Sequence, residues 1–190
     1  RDKILMGLER EGLVLTEDEK NLVAYHEAGH SIVGASLPNT DPIHKVSIVP
    51  RSSSMGVTQQ FPDRERYIYR KEYLFNRLAV MMGGRSADEV VLGTATSGAG
   101  NDLQQATQMA KKMILEWGMS GRFEHMAFGS RQGQVFLGEE LGKSRDYSEA
   151  TAQEIDAEVE SLLKAAYERA EKILQDNKEQ LEALASILVE

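Results

Sequence analysis

Two histidines interrupt an apolar run near the start of the chain. His26 and His30 are four residues apart in the stretch LVAYHEAGHSIVG, residues 22–34, and Glu27 directly follows the first of them. On a helix, side chains four residues apart project from the same face, one turn above the other. Apolar residues share that face, so a helix here aims both imidazoles toward the protein interior. Burying them without a partner costs free energy through lost hydration.

A divalent metal ion is the partner that best explains this burial. Zinc binds neutral imidazole and accepts a low coordination number, and it would orient both rings. Glu27 lies about 100° around the helix from His26, beside the metal, where its carboxylate can take a proton from an acidified water. This spacing is typical of the HExxH zinc peptidases. The alternative, two histidines satisfied by other side chains, is less favoured because the motif rarely arises by chance in a capped, amphipathic helix.

A catalytic zinc site needs a third protein ligand, and two carboxylates are the main candidates. Asp102, in SGAGNDLQQAT, stands in the first turn of a predicted helix and leads a row of buried residues. Glu89, in GGRSADEVV, would match the zinc peptidases in which a second helix supplies a glutamate as the third ligand. The pattern favours Asp102, but an acidic residue at a helix N-terminus is also expected from the helix dipole alone. His44 and His125 are weaker candidates at loop or strand edges.

The remaining periodicity predicts a mainly α-helical domain with a small β-hairpin and a C-terminal helical pair. A capping box formed by Thr16 and Glu19 predicts that the first helix starts at Glu17. Helices are predicted from Glu17 to about Leu37, over about residues 66–82 with an extension through 83–93, along an apolar row from Leu103 to Trp117, and from Ser148 onward. The segments HKVSIVP and GVTQQF are predicted to form a hairpin or two edge strands, and MAFGSRQGQVFLG another short strand pair.

Composition excludes several kinds of site. The chain of 190 residues has no cysteine, so disulfides and thiolate metal ligands are excluded. Its net charge of −8 argues against a nucleic-acid-binding surface. Apolar runs are only a few residues long, too short to span a membrane. The GxxxxGK[ST] pattern does not occur, so this chain is not expected to bind ATP through a phosphate-binding loop.

Eight sequence blocks, taken in order, resemble the peptidase domain of the FtsH family of ATP-dependent, membrane-anchored zinc metalloproteases. The resemblance runs from about Leu15 to at least Leu184, nearly the whole chain. The blocks are YHEAGHSIVG, HKVSIVPR, MGVTQQFP, GGRSADE, TSGAGNDLQQAT, WGMS, VFLG and YSEATAQEIDAEV.

The resemblance assigns roles to particular residues. It implies one zinc per subunit, bound by His26, His30 and Asp102, with Glu27 as the general base. It implies that Glu89 is an acidic residue outside the ligand set that supports the site or the structure. The sequence pattern alone leaves Glu89 as an alternative ligand.

The resemblance also implies a larger assembly. Residues 1–14 are expected to be a linker from an ATPase module that this chain lacks, and ATP would act only through that module. Residues 15–190 form the peptidase domain, with residues 147–190 as its C-terminal helices. The longer protein is expected to be a homo-hexamer anchored in a membrane by an N-terminal segment outside this chain, with this domain on the cytoplasmic, matrix or stromal side.

We therefore expect an endopeptidase domain that hydrolyses unfolded or membrane protein substrates and binds no nucleic acid. An extended polypeptide would dock along the edge strand at Met55, Gly56, Val57 and Thr58. One alternative is a non-catalytic module that assembles a hexamer around a structural zinc, which would require a closed four-ligand site. Another is a free-standing peptidase without an ATPase partner.

Overall fold

The computed structural model describes residues 15–50, 55–62, 66–128 and 147–190. Within these ranges the chain forms five α-helices, one two-stranded sheet and one short 3-10 helix. The elements are α1 (Glu17–Ser36), β1 (Ile43–Ser47), β2 (Val57–Gln60), α2 (Lys71–Leu92), the 3-10 helix Ser97–Ala99, α3 (Gly100–Leu115), α4 (Glu149–Asp176) and α5 (Lys178–Val189). The predicted fold class, mainly α with a small β element and a C-terminal helical pair, is confirmed.

The first helix, α1, begins where the sequence predicts. The Thr16 hydroxyl accepts a hydrogen bond from the Glu19 backbone N–H at 3.2 Å. The Glu19 carboxylate accepts one from the Thr16 backbone N–H at 2.8 Å, which completes the capping box. Acidic side chains in this first turn also interact favourably with the positive end of the helix dipole. The helix ends before Leu37, which is extended and is followed by Pro38.

Helix α1 runs through the centre of the fold and packs against α2, α4 and α5. Its contact with α2 is unusually close because two glycines meet there. A Cβ added to Gly29 would lie only 2.4 Å from the carbonyl oxygen of Gly83. Gly83 and Gly84 therefore do not break α2, which continues to Leu92 as the predicted extension requires. Their poor helix propensity is offset by the packing that the missing side chains allow.

Helix α2 starts later than the sequence pattern predicts, at Lys71 rather than at about residue 66. Arg66 is not in the helix because it turns back toward Asp41, with a guanidinium nitrogen 3.4 Å from the carboxylate. Tyr67 and Ile68 are exposed at 86% and 88%, so no buried face supports a helical turn there. The predicted start was wrong because it ignored this tertiary ion pair.

The two strands form one antiparallel sheet, as predicted, with Thr58 paired to Val46. Both strands contact α1. Thr58 in β2 and Gly56, just before it, are two residues apart and lie on the same side of the sheet, against Glu27. That side is turned toward the histidine-bearing helix.

Helix α3 buries a narrower row than the sequence pattern predicts. Its buried residues are Ala106, Ala110, Met113 and Ile114. Leu103 and Trp117, at the two ends of the predicted row, are 40% and 43% exposed. Trp117 lies beyond the last helical residue, so the helical period no longer sets its direction.

The C-terminal part follows the predicted course where it is described. The Ser148 hydroxyl caps α4 by accepting a hydrogen bond from the Thr151 N–H. The strand pair predicted over residues 126–138 falls mostly on residues 129–146, which lie outside the described ranges, and residues 126–128 are not in a strand. Among the helices of the described ranges, none combines the length and the apolar character that crossing a membrane requires.

Candidate metal centre

Three predicted ligands converge at one point between α1 and α3. Nε2 of His26 lies 3.1 Å from Nε2 of His30 and 3.2 Å from Oδ2 of Asp102. Nε2 of His30 lies 3.6 Å from the same oxygen. All three potential ligand atoms are within 4.8 Å of one another. The helical spacing of the two histidines and the first turn of α3 are what bring these atoms together.

A backbone contact sets the orientation of the His30 ring. Nδ1 of His30 lies 2.7 Å from the carbonyl oxygen of Val80 on α2. A carbonyl oxygen can only accept, so Nδ1 carries the hydrogen and donates it. The neutral ring therefore keeps its lone pair on Nε2, the atom that faces His26 and Asp102.

The ring of His26 has an acidic neighbour on its other side. Nδ1 of His26 faces Oδ1 of Asp88 at 3.6 Å, and Asp88 is fully buried. The second oxygen, Oδ2, accepts a hydrogen bond from the Thr96 hydroxyl at 2.6 Å. The carboxylate of Asp88 is thus fixed at the back of the ring, where it favours a hydrogen on Nδ1 and a lone pair on Nε2.

Gly84 makes room for both rings. A Cβ at this position would lie 2.4 Å from Cε1 of His26 and 2.6 Å from Nε2 of His30. Any side chain at residue 84 would occupy the space beside the two Nε2 atoms. Glycine at residue 84 is therefore required by the site rather than by the backbone conformation of the helix.

Charge contacts within the cluster change the pKa of His26 and of Asp102. Burial disfavours the charged form of His26, but the hydrogen bond with Asp102 and the contact with Asp88 outweigh it and raise the pKa of His26 to about 9. Burial likewise opposes ionisation of Asp102, but its hydrogen bond with His26 and its close contact with His30 hold the pKa of that carboxyl well below its usual range. The pocket thus favours a positive charge beside an ionised carboxylate.

This donor set fits zinc. Two imidazole nitrogens and one carboxylate oxygen are ligands that three-ligand zinc sites use, with a further position open to solvent. With both rings neutral, three lone-pair-bearing atoms would face one another without a hydrogen between them. A divalent cation would bind all three atoms at once. The contacts of Val80 and Asp88 with the Nδ1 atoms favour rings whose Nε2 lone pairs are free for the metal.

Glu27 lies beside the cluster and is 6% exposed. The Thr58 hydroxyl donates a hydrogen bond to Oε2 of Glu27 at 2.6 Å. Burial raises the pKa of Glu27 above its ordinary value, and the neighbouring His30 and Thr58 partly counteract that rise. A buried carboxylate with a raised pKa is a stronger proton acceptor than one in water.

A cleft of about 1000 Å³ runs over these residues. The three potential ligands and Glu27 lie on it, and so do the four residues of the predicted substrate strand, Met55, Gly56, Val57 and Thr58. An extended chain in this cleft would therefore lie against both β2 and the cluster.

The other candidates lie elsewhere. Glu89 accepts a hydrogen bond from the Tyr167 hydroxyl on α4 and pairs with Arg85 at 2.8 Å, so it connects α2 to α4. His44, in β1, packs its ring against Phe61 with the centroids 5.4 Å apart. His125 is exposed, and the structure brings neither histidine to the cluster.

Sequence reasoning missed Asp88. Its signal was present, because residues 84 and 88 are four apart and so share a helix face. Once Gly84 is recognised as the residue facing the histidines, Asp88 follows as the next residue on that face. Its neighbour Glu89, about 100° around the helix, was considered instead.

Comparisons with known proteins show which family the sequence matches. The profile of peptidase family M41 matches residues 13–190. The chain is 54% identical over 190 residues to ATP-dependent zinc metalloprotease FtsH 2 of Salinibacter ruber, and 49% identical to ATP-dependent zinc metalloprotease FtsH 2 of Methylacidiphilum infernorum. It is 47% identical to ATP-dependent zinc metalloprotease FtsH of Acidobacterium capsulatum.

Each of these matches covers 100% of this chain but only 28% to 30% of the relative. The chain therefore spans less than a third of the length of the curated relatives that it matches.

Proposed function

Because this chain belongs to peptidase family M41, we propose that it is a zinc-dependent endopeptidase domain in which His26, His30 and Asp102 hold the metal and Glu27 is the general base. The resemblance to FtsH-type peptidase domains in the sequence is confirmed by the family match and by the identity to relatives of that name. The observation that carries the assigned roles is the convergence of three ligand atoms within 4.8 Å of one another beside a buried glutamate.

The chemistry divides between the metal and the chain. Zinc, when bound, supplies a Lewis acid that polarises the scissile carbonyl and acidifies water. Glu27 accepts the proton of the attacking water on its carboxylate and then delivers it to the nitrogen of the leaving amine. Its burial favours the first transfer because a poorly hydrated carboxylate gains more from protonation. The Val80 carbonyl holds the ring of His30, and the Asp88 carboxylate faces Nδ1 of His26, so that both Nε2 atoms face the site.

The substrate proposed is an extended polypeptide from an unfolded or membrane protein. In the described ranges β2 pairs with β1 alone, which leaves the main-chain groups of its second edge available. Strand addition there would bind a substrate through its backbone and so accept many sequences. Met55 and Val57 add apolar surface on the same cleft.

We propose further that the domain acts within a longer ATP-dependent, membrane-anchored protease that forms a homo-hexamer. The relatives carry ATP dependence in their names, and this chain covers 28% to 30% of their lengths. In this proposal, residues 1–14 lead from an ATPase module, residues 15–190 are the peptidase domain, and residues 147–190 supply its C-terminal helices. The domain then works on the cytoplasmic, matrix or stromal side of the membrane.

Glu27→Gln tests the catalytic role against the alternative of a structural zinc in an assembly module. The amide keeps the size of the side chain but cannot act as a base, so zinc content should stay at about one per chain while cleavage of unfolded casein is lost. Glu17→Gln, at an exposed position of the same helix, is the matched control and should cleave casein normally. A fully active Glu27→Gln variant would remove Glu27 from the mechanism.

A further inference from the structure

The closest polar contact of Glu27 comes from the sheet and not from the histidine cluster. Thr58, on β2, donates its hydroxyl hydrogen to Oε2 of Glu27 at 2.6 Å. The same hydroxyl lies 3.1 Å from the main-chain carbonyl oxygen of Glu27. A hydroxyl has a single hydrogen, and a shorter contact to an ionised carboxylate is the stronger of the two. The bond to the side chain is therefore the one that the hydroxyl makes when Glu27 is ionised.

The other oxygen of Glu27 is confined by Gly56, the residue that directly precedes the same strand. A Cβ added to Gly56 would lie 2.6 Å from Oε1 of Glu27 and 2.7 Å from its Cγ. It would also lie 2.7 Å from Cγ1 of Val23, one turn earlier on α1. The carboxylate thus fits between Thr58 and the backbone of Gly56, with little space to rotate. Among the described residues, none donates a hydrogen bond to Oε1.

We infer that Thr58 is a positioning residue for the general base, holding Oε2 of Glu27 so that Oε1 remains the oxygen that exchanges the proton. The inference rests on the proposed role of Glu27 as the base. A carboxylate that rotates freely presents either oxygen in many directions, whereas a held one is ready for proton transfer. Thr58 does this from outside the histidine helix, through a single hydroxyl.

This role differs from the docking role of the same strand. Docking uses the main-chain N–H and C=O groups of β2, which a change of side chain at residue 58 leaves in place. Positioning uses the hydroxyl, which the side chain alone provides. Loss of the hydroxyl should therefore lower kcat, whereas loss of docking should raise KM.

Thr58→Val and Thr58→Ser separate these possibilities. Valine keeps the β-branched shape that suits a strand but has no hydroxyl, while serine keeps the hydroxyl and loses only a methyl group. With an unfolded peptide substrate, Thr58→Val should lower kcat at least about tenfold, within the range that general-base catalysis contributes, and change KM less than about twofold. Thr58→Ser should restore most of kcat.

The matched control is Thr107→Val, which removes a hydroxyl that bonds to the Leu103 carbonyl on the exposed side of α3. Zinc content and melting temperature should match wild type in all three variants. The carboxylate ¹³C signal of Glu27 provides a readout that does not depend on activity. It should shift in Thr58→Val and return toward the wild-type position in Thr58→Ser.

Several outcomes would overturn the inference. An unchanged kcat with a raised KM in Thr58→Val would show that Thr58 contributes to substrate docking and not to the positioning of Glu27. Equal loss of kcat in the valine and serine variants would mean that packing, not the hydroxyl, matters. If Thr58→Val does not fold, Thr58→Ala replaces it in the comparison with serine. If Thr58→Val has wild-type kcat and Glu27→Gln is inactive, positioning by Thr58 is refuted but the proposed function stands. If Glu27→Gln is active, both the positioning role and the proposed role of Glu27 are refuted.

Discussion

Gly29 and Gly83 meet backbone to backbone where α1 crosses α2. A Cβ on Gly29 would lie 2.4 Å from the carbonyl oxygen of Gly83, and a Cβ on Gly83 would lie 2.8 Å from the carbonyl oxygen of Gly29. This close approach brings the Val80 carbonyl within 2.7 Å of Nδ1 of His30. The spacing of the two helices and the geometry of the cluster are therefore set by the same contact.

Gly29→Ala should destabilise the fold. The new methyl group cannot fit without moving α2, and overpacking of this kind costs roughly 1–3 kcal/mol, against a gain in helix propensity of about 1 kcal/mol. Urea unfolding should show a lower free energy of unfolding, and zinc affinity should fall as the helices separate. Gly121→Ala is the control, because nothing lies within 4 Å of a Cβ there. Equal stability of the two variants would mean that the helices separate at no cost.

His26→Ala and His30→Ala should each lose nearly all of the bound zinc. Removal of one imidazole leaves only two protein ligands, and it also leaves a cavity beside them. Metal analysis of the purified chain should fall from about one zinc per chain to almost none. His125→Ala, at an exposed histidine, should keep the wild-type content. Full zinc in either of the first two variants would place the metal elsewhere.

Asp88→Asn should weaken zinc binding although Asp88 is not among the three ligands. Its Oδ1 faces Nδ1 of His26 at 3.6 Å, and loss of the negative charge makes the imidazole a weaker zinc ligand. Affinity should fall by about 10- to 100-fold, the usual effect of changing a group that orients a ligand. A competition titration with a zinc chelator measures this. Asp18→Asn, exposed in the first turn of α1, is the control, and an unchanged affinity in Asp88→Asn would contradict the orienting role.

Local rules were enough to predict much of this fold. The capping box at Thr16 and Glu19 fixes the start of α1, and the four-residue spacing of His26 and His30 fixes their common face. Both depend on residues within one or two turns of each other. The antiparallel strand pair was likewise predictable, because alternating β-rich segments stand close together in sequence.

Features that depend on distant residues could not be predicted in this way. The start of α2 depends on Arg66 pairing with Asp41, which is 25 positions away by residue number. The spacing of residues 84 and 88 places Asp88 on the same face of α2 as Gly84, but that this face meets His26 and His30 depends on the tertiary contact between the two helices. The exposure of Leu103 depends on which element covers the first turn of α3, and a helical period does not encode this.

The choice between Asp102 and Glu89 as the third ligand is open to a direct test. Oδ2 of Asp102 lies 3.2 Å and 3.6 Å from the two Nε2 atoms, whereas Glu89 is engaged by Tyr167 and Arg85. Asp102→Asn should therefore weaken zinc sharply, because a neutral amide is a poor substitute for a carboxylate. Glu89→Gln should keep most of the zinc and instead loosen the contact between α2 and α4.

The test is a zinc titration of both variants beside urea unfolding. If Asp102 served only the helix dipole, its loss would cost about 0.3–1 kcal/mol of stability and would leave zinc affinity unchanged. If it is a ligand, zinc affinity falls far more than in Glu89→Gln, because Glu89 contacts Tyr167 and Arg85 rather than the histidine rings. Full zinc in Asp102→Asn with lost zinc in Glu89→Gln would reverse the assignment. The two short contacts of Asp102 with the histidine nitrogens are the reason that we expect the first result.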